Sequence, residues 1–304
     1  MSEDRPNIGL ICNRAAFEAD AVPEEIERLE LFANFNYQEC NEISDWDNPP
    51  PQNPEVDAKI IEFAKNMDAL IVCHGSPRIT GSILDGAPRV RIVGELEGDR
   101  FARRIDVEAA IERGVKSVDT THGSSYGVSE WALGMSLIGL RNAGALFRRM
   151  ISGEVLYKSE DDRTIDPGYL KSELTGRTVG IIGVGHIGRR LLELLGPFEV
   201  EVYAHDPYVP PELADIYDIT FTSLDNVLSI PEVIICVAPI TPSTAGMIGK
   251  REIDLIKPGS VFVNVSRGAI VDSDALIERL QRNDIIACLD VFDPEPVPEN
   301  SPVR

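Results

Sequence analysis

Gly183, Gly185 and Gly188 stand in the order G-x-G-x-x-G, behind the apolar run 179–182 and ahead of an amphipathic run that ends near Leu195. A strand, a glycine turn and a helix start in that order can cradle a pyrophosphate. The first glycine permits the tight turn, the second lets a phosphate approach the backbone, and the third lets helix and strand pack closely. Free N–H groups at the helix start then face the anion, helped by the helix dipole. Eighteen residues past Gly188, at the end of a second apolar run, stands Asp206. A carboxylate there accepts from the 2′- and 3′-hydroxyls of a ribose and repels a 2′-phosphate. Pro207 and Tyr208 follow it, with no arginine to hold such a phosphate. The motif therefore reads as a site for NAD rather than NADP. His186 and Ile187 lie inside the turn and His205 precedes the acid, so both histidines read as cofactor-side residues. A bare strand–helix turn with no ligand would explain the glycines but not the acid.

The elements around this motif alternate. Short apolar runs at 8–12, 69–73, 91–94 and 116–118 read as strands, with amphipathic helices at 24–33, 54–65 and 107–113 between them. The second part repeats the rhythm, with strands at 178–182, 201–204, 233–237, 260–264 and 285–290 and helices at 187–195, 225–228, 250–255 and 273–281. Such alternation predicts parallel α/β sheets covered on both faces. The apolar stretch 128–149 reads as one long helix joining the halves, and its broad apolar surface predicts a homodimer. The polar segment 152–172, with Glu160, Asp161, Asp162, Pro167 and Gly168, reads as a surface loop, as does the proline-rich 48–54.

Composition narrows the function classes. The 304 residues are 43% hydrophobic and 26% charged, enough for two domains with real cores. A formal net charge of -21 repels phosphate backbones and anionic membranes, so neither nucleic acid nor membrane is an expected partner. No apolar run approaches the roughly 20 residues needed to span a bilayer. The residues from Met1 to Pro6 are polar, so no signal peptide is expected. Cys12, Cys40, Cys73, Cys236 and Cys288 are scattered, without a CxxC pair or a Cys/His cluster. They read as buried free thiols in a cytoplasmic protein, and no metal is expected.

From residue 69 onward, and most strongly from Leu174, the sequence resembles the D-isomer-specific 2-hydroxyacid dehydrogenases, which include phosphoglycerate, D-lactate and glyoxylate/hydroxypyruvate enzymes. Four blocks carry the likeness: the glycine turn with His205–Tyr208, the run 236–244 (CVAPITPST), the run 264–272 (NVSRGAIVD) and the run 289–296 (LDVFDPEP). The resemblance implies two doubly wound parallel-sheet domains with a cleft between them: a flavodoxin-like substrate domain (1–123) and an NAD-binding Rossmann domain (124–304). It implies hydride transfer between NAD and a D-2-hydroxyacid or 2-oxoacid. Arg267 would hold the carboxylate and polarise the carbonyl, a task suited to its planar fork of donors. Glu295 would match the glutamate that pairs with a catalytic histidine and raises its pKa. Val237, Ala238, Pro239 and Thr244, then Val265 and Ser266, would pass beside the cofactor, and Asp290 would stand near the nicotinamide amide. His74, Gly75 and Ser76 would form a substrate loop. Read apart from these blocks, Arg267 is an ordinary surface ion-pair partner and Glu295 a plain loop residue.

The sequence departs from the family in two places. No histidine follows Glu295 before Arg304, so a truncated chain is expected. The second substrate-side loop, glycine-rich in the family, reads Gly94-Glu95-Leu96-Glu97-Gly98-Asp99-Arg100. Its acids would repel an anionic substrate unless they turn outward, the simpler expectation, or pair with Arg100, Arg103 or Arg104. Three rival readings stay open: an NAD-responsive binding protein of corepressor type, an inactive fragment, and, more remotely, a formate-dehydrogenase-like enzyme.

Overall fold

The structure, a computed structural model, describes residues 5–43, 49–96, 101–155, 159 and 173–303. The acidic loop residues Glu97, Gly98, Asp99 and Arg100 and the segment holding Glu160, Asp161, Asp162, Pro167 and Gly168 lie outside the described residues. The chain divides into two compact units, Met1–Gly123 and Ser124–Arg304.

The first unit runs β1 (Asn7–Cys12), α1 (Arg14–Asp20), α2 (Pro23–Glu30), β2 (Asn34–Glu39), α3 (Pro54–Ala64), β3 (Ala69–Val72), α4 (Gly81–Gly86), β4 (Ile92–Glu95), α5 (Phe101–Arg104), α6 (Val107–Glu112) and β5 (Lys116–Asp119). Its strands pair in parallel in the order β2-β1-β3-β4-β5. This is the doubly wound flavodoxin-like order, in which the chain reverses its direction of travel between β1 and β3. Asn13 begins α1 by accepting from the Ala16 amide at 2.8 Å, and Asp106 does the same for α6 with Ala109 at 3.1 Å. The core gathers Ile11, Ile60, Leu70, Val72, Ile83 and Val93 between sheet and helices. Strand β2 escapes the apolar-run reading. It is an edge strand of sequence NFNYQE with both ends exposed, and edge strands carry polar residues that discourage further pairing.

The second unit opens with α7 (Ser125–Leu140) and α8 (Ala143–Ile151). The single helix expected over 128–149 is thus two helices, and the first starts at Ser125. Asn142 breaks them by adopting the left-handed region (φ 48°, ψ 34°), which asparagine tolerates better than most residues. Gly139 lets α7 lie close on the sheet, since a Cβ there would stand 2.5 Å from Val261. The unit continues β6 (Thr178–Ile182), α9 (His186–Leu195), β7 (Glu201–His205), α10 (Leu213–Tyr217), β8 (Ile219–Phe221), α11 (Leu224–Ser229), β9 (Val233–Cys236), α12 (Lys250–Leu255), β10 (Val261–Asn264), α13 (Ser273–Leu280) and β11 (Ile286–Leu289). All strands are parallel, in the order β11-β10-β9-β6-β7-β8. Counted from β6, that is the Rossmann order, with its reversal between β6 and β9. Strands β9 and β10 are buried at every position, which is why they read as continuous apolar runs. Strand β8 and helix α10 carry too short an apolar signal to be read from the sequence.

Cys12, Cys40, Cys73 and Cys236 are buried and Cys288 is half-buried, so the expectation of burial holds for four of the five. Burial pushes the Cys236 thiol from the ordinary 9.0 up to about 11, only partly offset by hydrogen bonding to Ala238 and Ser266. It is a protonated packing group at neutral pH. Its contribution to stability is full below 9.0 and fades as pH rises toward about 11. Among the described residues, no helix is long and apolar enough to cross a membrane, and no group of three His, Cys, Asp or Glu side chains could hold a metal ion.

Candidate active site

In the second unit the candidate residues follow the carboxyl ends of β6, β7, β9, β10 and β11, the edge where open α/β sheets bind ligands. The three glycines of the turn do different work. Gly183 adopts φ +98°, and a Cβ on it would stand 2.8 Å from the Cα of Ala238, so the loops after β6 and β9 touch at the reversal point. A Cβ on Gly188 would stand 2.3 Å from the Gly183 carbonyl oxygen. Gly185 is exposed, and nothing described lies within 4 Å of a Cβ built there. Protein packing therefore demands the first and third glycines and makes no demand on the second. An open cradle at Gly185, at the start of α9, is what a phosphate group needs.

Asp206 closes one side of this cradle. Its Oδ2 accepts from the Val184 amide at 2.8 Å and its Oδ1 from the Tyr208 amide at 3.0 Å. The carboxylate is held by two backbone donors yet stays half-buried, with acceptor capacity left for ribose hydroxyls. His205 donates through Nδ1 to the Thr222 carbonyl at 3.0 Å, since a carbonyl can only accept. His186 is exposed as the first residue of α9, while Ile187 turns into the core beside it.

On the other side, Val237 and Ala238 are buried, and the carbonyl of exposed Pro239 accepts from the Thr244 hydroxyl at 2.7 Å. That bond and the Thr241–Thr244 turn give the 239–244 loop its shape. Val265 and Ser266 are buried, and the Ser266 hydroxyl donates to the Ala238 carbonyl, tying the loop after β10 to the loop after β9. Asn264 stitches its own turn by donating to the Arg267 carbonyl at 3.1 Å and accepting from the Ser266 amide at 3.1 Å. Arg267 is half-buried, with Nη1 donating to the Ser266 carbonyl at 2.6 Å. Gly268 has no room for a Cβ, which would meet the Phe292 carbonyl group at 2.0 Å. The arginine loop is thereby pressed against the segment that leads to exposed Glu295. Asp290 is exposed after β11, and its Oδ1 accepts from the Trp131 indole of α7 at 2.8 Å.

These contacts form one continuous rim from Asp206 through Gly183, Ala238, Ser266 and Arg267 to Phe292. Sequence reasoning missed two members of it. Asn264 signals itself as the one polar residue in the buried strand VFVN. Trp131 lies 159 positions from Asp290, with no local signal for the contact.

Residues 135–304 match the D-isomer specific 2-hydroxyacid dehydrogenase, NAD binding domain family. The chain belongs to this family. The chain is 31% identical over 244 residues to the D-3-phosphoglycerate dehydrogenase of Methanocaldococcus jannaschii, covering 80% of this chain but 44% of that protein. It is 30% identical over 262 residues to the glyoxylate reductase of Thermococcus gammatolerans, covering 84% of this chain and 74% of that protein. Among solved structures, a D-lactate dehydrogenase of Aquifex aeolicus complexed with NAD and lactic acid superposes with a TM-score of 0.64 at 25% identity, covering 95% of this chain and 78% of that one. The chain thus spans less than half of the phosphoglycerate dehydrogenase that it matches. As a member of the family, its second unit is an NAD-binding domain.

In the first unit, the loop expected to hold substrate follows β3. His74 is exposed there. Gly75 adopts φ +88° with Cys40 and Asn13 packed against it. Ser76 is wholly buried, so its hydroxyl does not reach the surface of this unit. The outward orientation expected for Glu95 is overturned. Its side chain is fully buried, with Oε1 3.6 Å from Nε of the equally buried Arg104. Solvation would favour an outward carboxylate, but a guanidinium already buried at the end of β4 makes the inward rotamer the neutralising one.

Proposed function

We propose that this chain serves NAD-dependent hydride transfer between a D-2-hydroxyacid and the corresponding 2-oxoacid. The observation that carries this reading is the seating of Arg267. Its turn is locked by Asn264 and Ser266 on one side and by the Gly268–Phe292 approach on the other, at the sheet edge that also holds the open glycine cradle. A cation so fixed, half out of water, suits a carboxylate beside a carbonyl whose oxygen gains charge during reduction.

Gly185, Asp206 and the start of α9 are the proposed pyrophosphate and ribose contacts, with Gly183, His186, Ile187, Gly188, Val237, Ala238, Pro239, Thr244, Val265, Ser266 and Asp290 shaping the rest of the cofactor site. NAD, when bound, supplies the hydride acceptor or donor. Arg267 binds and orients the acid and stabilises developing negative charge on the carbonyl oxygen. Glu295 is proposed to orient the proton-carrying group. The loop after β3 is proposed to meet the substrate through exposed His74, with Gly75 turning the chain and buried Ser76 anchoring the loop from within. Small 2-hydroxyacids or 2-oxoacids are the partner class that these roles accommodate, and a cytoplasmic location suits the free thiols.

Calorimetry with NAD and NADP, on the parent and on Asp206→Ala, tests the cofactor half. The parent should prefer NAD, and the variant should lose affinity by roughly 10–100-fold, the scale of about 1.5–3 kcal/mol for hydrogen bonds to a charged group. Equal affinity of parent and variant for NAD would remove Asp206 from the site. An assay of NADH-dependent glyoxylate reduction tests the chemical half.

Leu137, Ile138, Phe147, Met150 and Ile151 are exposed along α7 and α8. We propose that a second copy of the chain covers them in a homodimer. Sedimentation velocity at micromolar concentration should then show a dimer, which Leu137→Glu combined with Met150→Glu converts to monomer. A monomeric parent would sink the idea.

A further inference from the structure

Asp290 is the first residue past β11, at the carboxyl edge of the second unit's sheet. The sheet itself seats its backbone. The Asp290 amide donates to the Asn264 carbonyl at 3.0 Å, one step beyond the pairing of Asn264 with Leu289. Its side chain is held from a different element. The Trp131 indole, on α7, donates from Nε1 to Oδ1 at 2.8 Å. Among the described residues, Oδ2 has no hydrogen-bond partner. The carboxylate is exposed, and Trp131 is 47% exposed.

This bond is not needed to seat α7. Ala132 and Met135 already anchor the helix in the core, and Gly139 lies close against Val261 and Cys288. A hydrogen bond in contact with water adds little to stability, because water competes for both partners. Orientation is a task it can perform. An aspartate at an exposed strand end has several staggered rotamers open to it. Indole has one donor and no acceptor, so the Trp131 N–H must meet an acceptor. Taking Oδ1 fixes one oxygen of the carboxylate and sets the direction of the other. Asn264 joins this acceptor to the Arg267 turn: its backbone carbonyl takes the Asp290 amide, and its side chain stitches the turn at the Arg267 carbonyl and the Ser266 amide. Oδ2 and the arginine loop are therefore built on one frame. An uncharged primary amide offers two N–H donors and suits a carboxylate oxygen of this kind. The nicotinamide ring carries such an amide beside the carbon that exchanges the hydride.

We propose that Trp131 is a positioning residue: its indole N–H sets the Asp290 carboxylate so that Oδ2 accepts from the carboxamide of the nicotinamide. Trp131 acts through Asp290 and touches no reacting atom. The proposal rests on the reading of Asp290 as part of the cofactor site.

ADP-ribose carries the adenosine, the pyrophosphate and the second ribose of NAD without the nicotinamide, so it separates this role from the rest of the site. Calorimetry with both ligands compares the parent with Trp131→Phe, which keeps an aromatic ring and loses the N–H. NAD affinity should fall roughly tenfold, the scale of one hydrogen bond, while ADP-ribose affinity holds. On an Asp290→Ala background the same substitution should cost NAD nothing further. An equal fall for both ligands would mark a merely structural role, and no fall for either would mean that the indole sets nothing; each result overturns the proposal. A second reading needs no change at Trp131. The chain has two tryptophans, Trp46 and Trp131, so the indole N–H signal that survives in Trp46→Phe belongs to Trp131. In nitrogen-15 NMR that signal should shift when NAD binds and keep its place when ADP-ribose binds. An unmoved signal with NAD bound would overturn the proposal. Failure of the folded parent to bind either ligand would overturn the cofactor-site reading and the proposal with it, whereas binding of both with a silent Trp131 removes the proposal alone.

Discussion

Replacing Gly185 by alanine leaves the unfolding midpoint nearly unchanged and removes most of the NAD affinity, whereas Gly188→Ala does the reverse. Both residues belong to one six-residue motif. Gly185 has φ -74° and ψ -155°, a conformation open to alanine, and its Cβ would enter empty space. The cost to folding is that of a poorer helix cap, about 1 kcal/mol or less. The new methyl occupies the place where a phosphate oxygen must approach. Losing a charge-assisted hydrogen bond there weakens binding by roughly 10–100-fold. At Gly188 a Cβ would stand 2.3 Å from the Gly183 carbonyl oxygen, and that oxygen belongs to backbone pinned against Ala238. Overpacking of this kind costs about 3 kcal/mol. Urea unfolding and calorimetry on the two variants separate the effects. Wild-type NAD affinity in Gly185→Ala, or wild-type stability in Gly188→Ala, would show that the cradle is not what the geometry indicates.

Arg267→Met lowers kcat/KM for glyoxylate reduction by roughly 100- to 1000-fold, the scale of removing one preorganised stabiliser of a developing oxyanion. Folding and NAD affinity change little, because Arg267 is half-buried in the loop after β10 and stands outside the hydrophobic core of the unit. Arg267→Lys recovers only part of the loss, since an ammonium keeps the charge without the two parallel donors. Steady-state kinetics beside NAD calorimetry on both variants checks this. If NAD affinity falls as far as kcat/KM does, Arg267 is part of the cofactor site and the assignment of the substrate carboxylate to it fails.

Much of the second unit is legible in the amino-acid order. Strands β6, β9 and β10 are buried on both faces, so they appear as unbroken apolar runs between helices. The glycine turn and Asp206 are separated by one helix and one strand, a spacing set by the length of that βαβ unit. Elements with little burial are less legible. The edge strand β2 is polar, and the break at Asn142 depends on a backbone conformation that asparagine tolerates without requiring. Glu95 stayed between two orientations, outward or paired with an arginine, because an acid at a strand end is ordinarily solvated and the arginine that draws it inward, Arg104, belongs to a different element.

The sequence by itself determined the alternation of parallel strands and helices, the NAD-type glycine turn with its acid, and the family to which Arg267 and Glu295 belong by motif. All of these are local or periodic, so residue types and spacing carry them. The tertiary structure alone decided which glycines packing requires and which it leaves open, that Trp131 reaches Asp290, that Gly268 presses the arginine loop onto Phe292, and that Glu95 and Arg104 bury together beside His74. Each of these is a contact between elements distant in sequence or a property of the space around an atom. Such contacts arise from how faces pack, and no spacing along the chain encodes them.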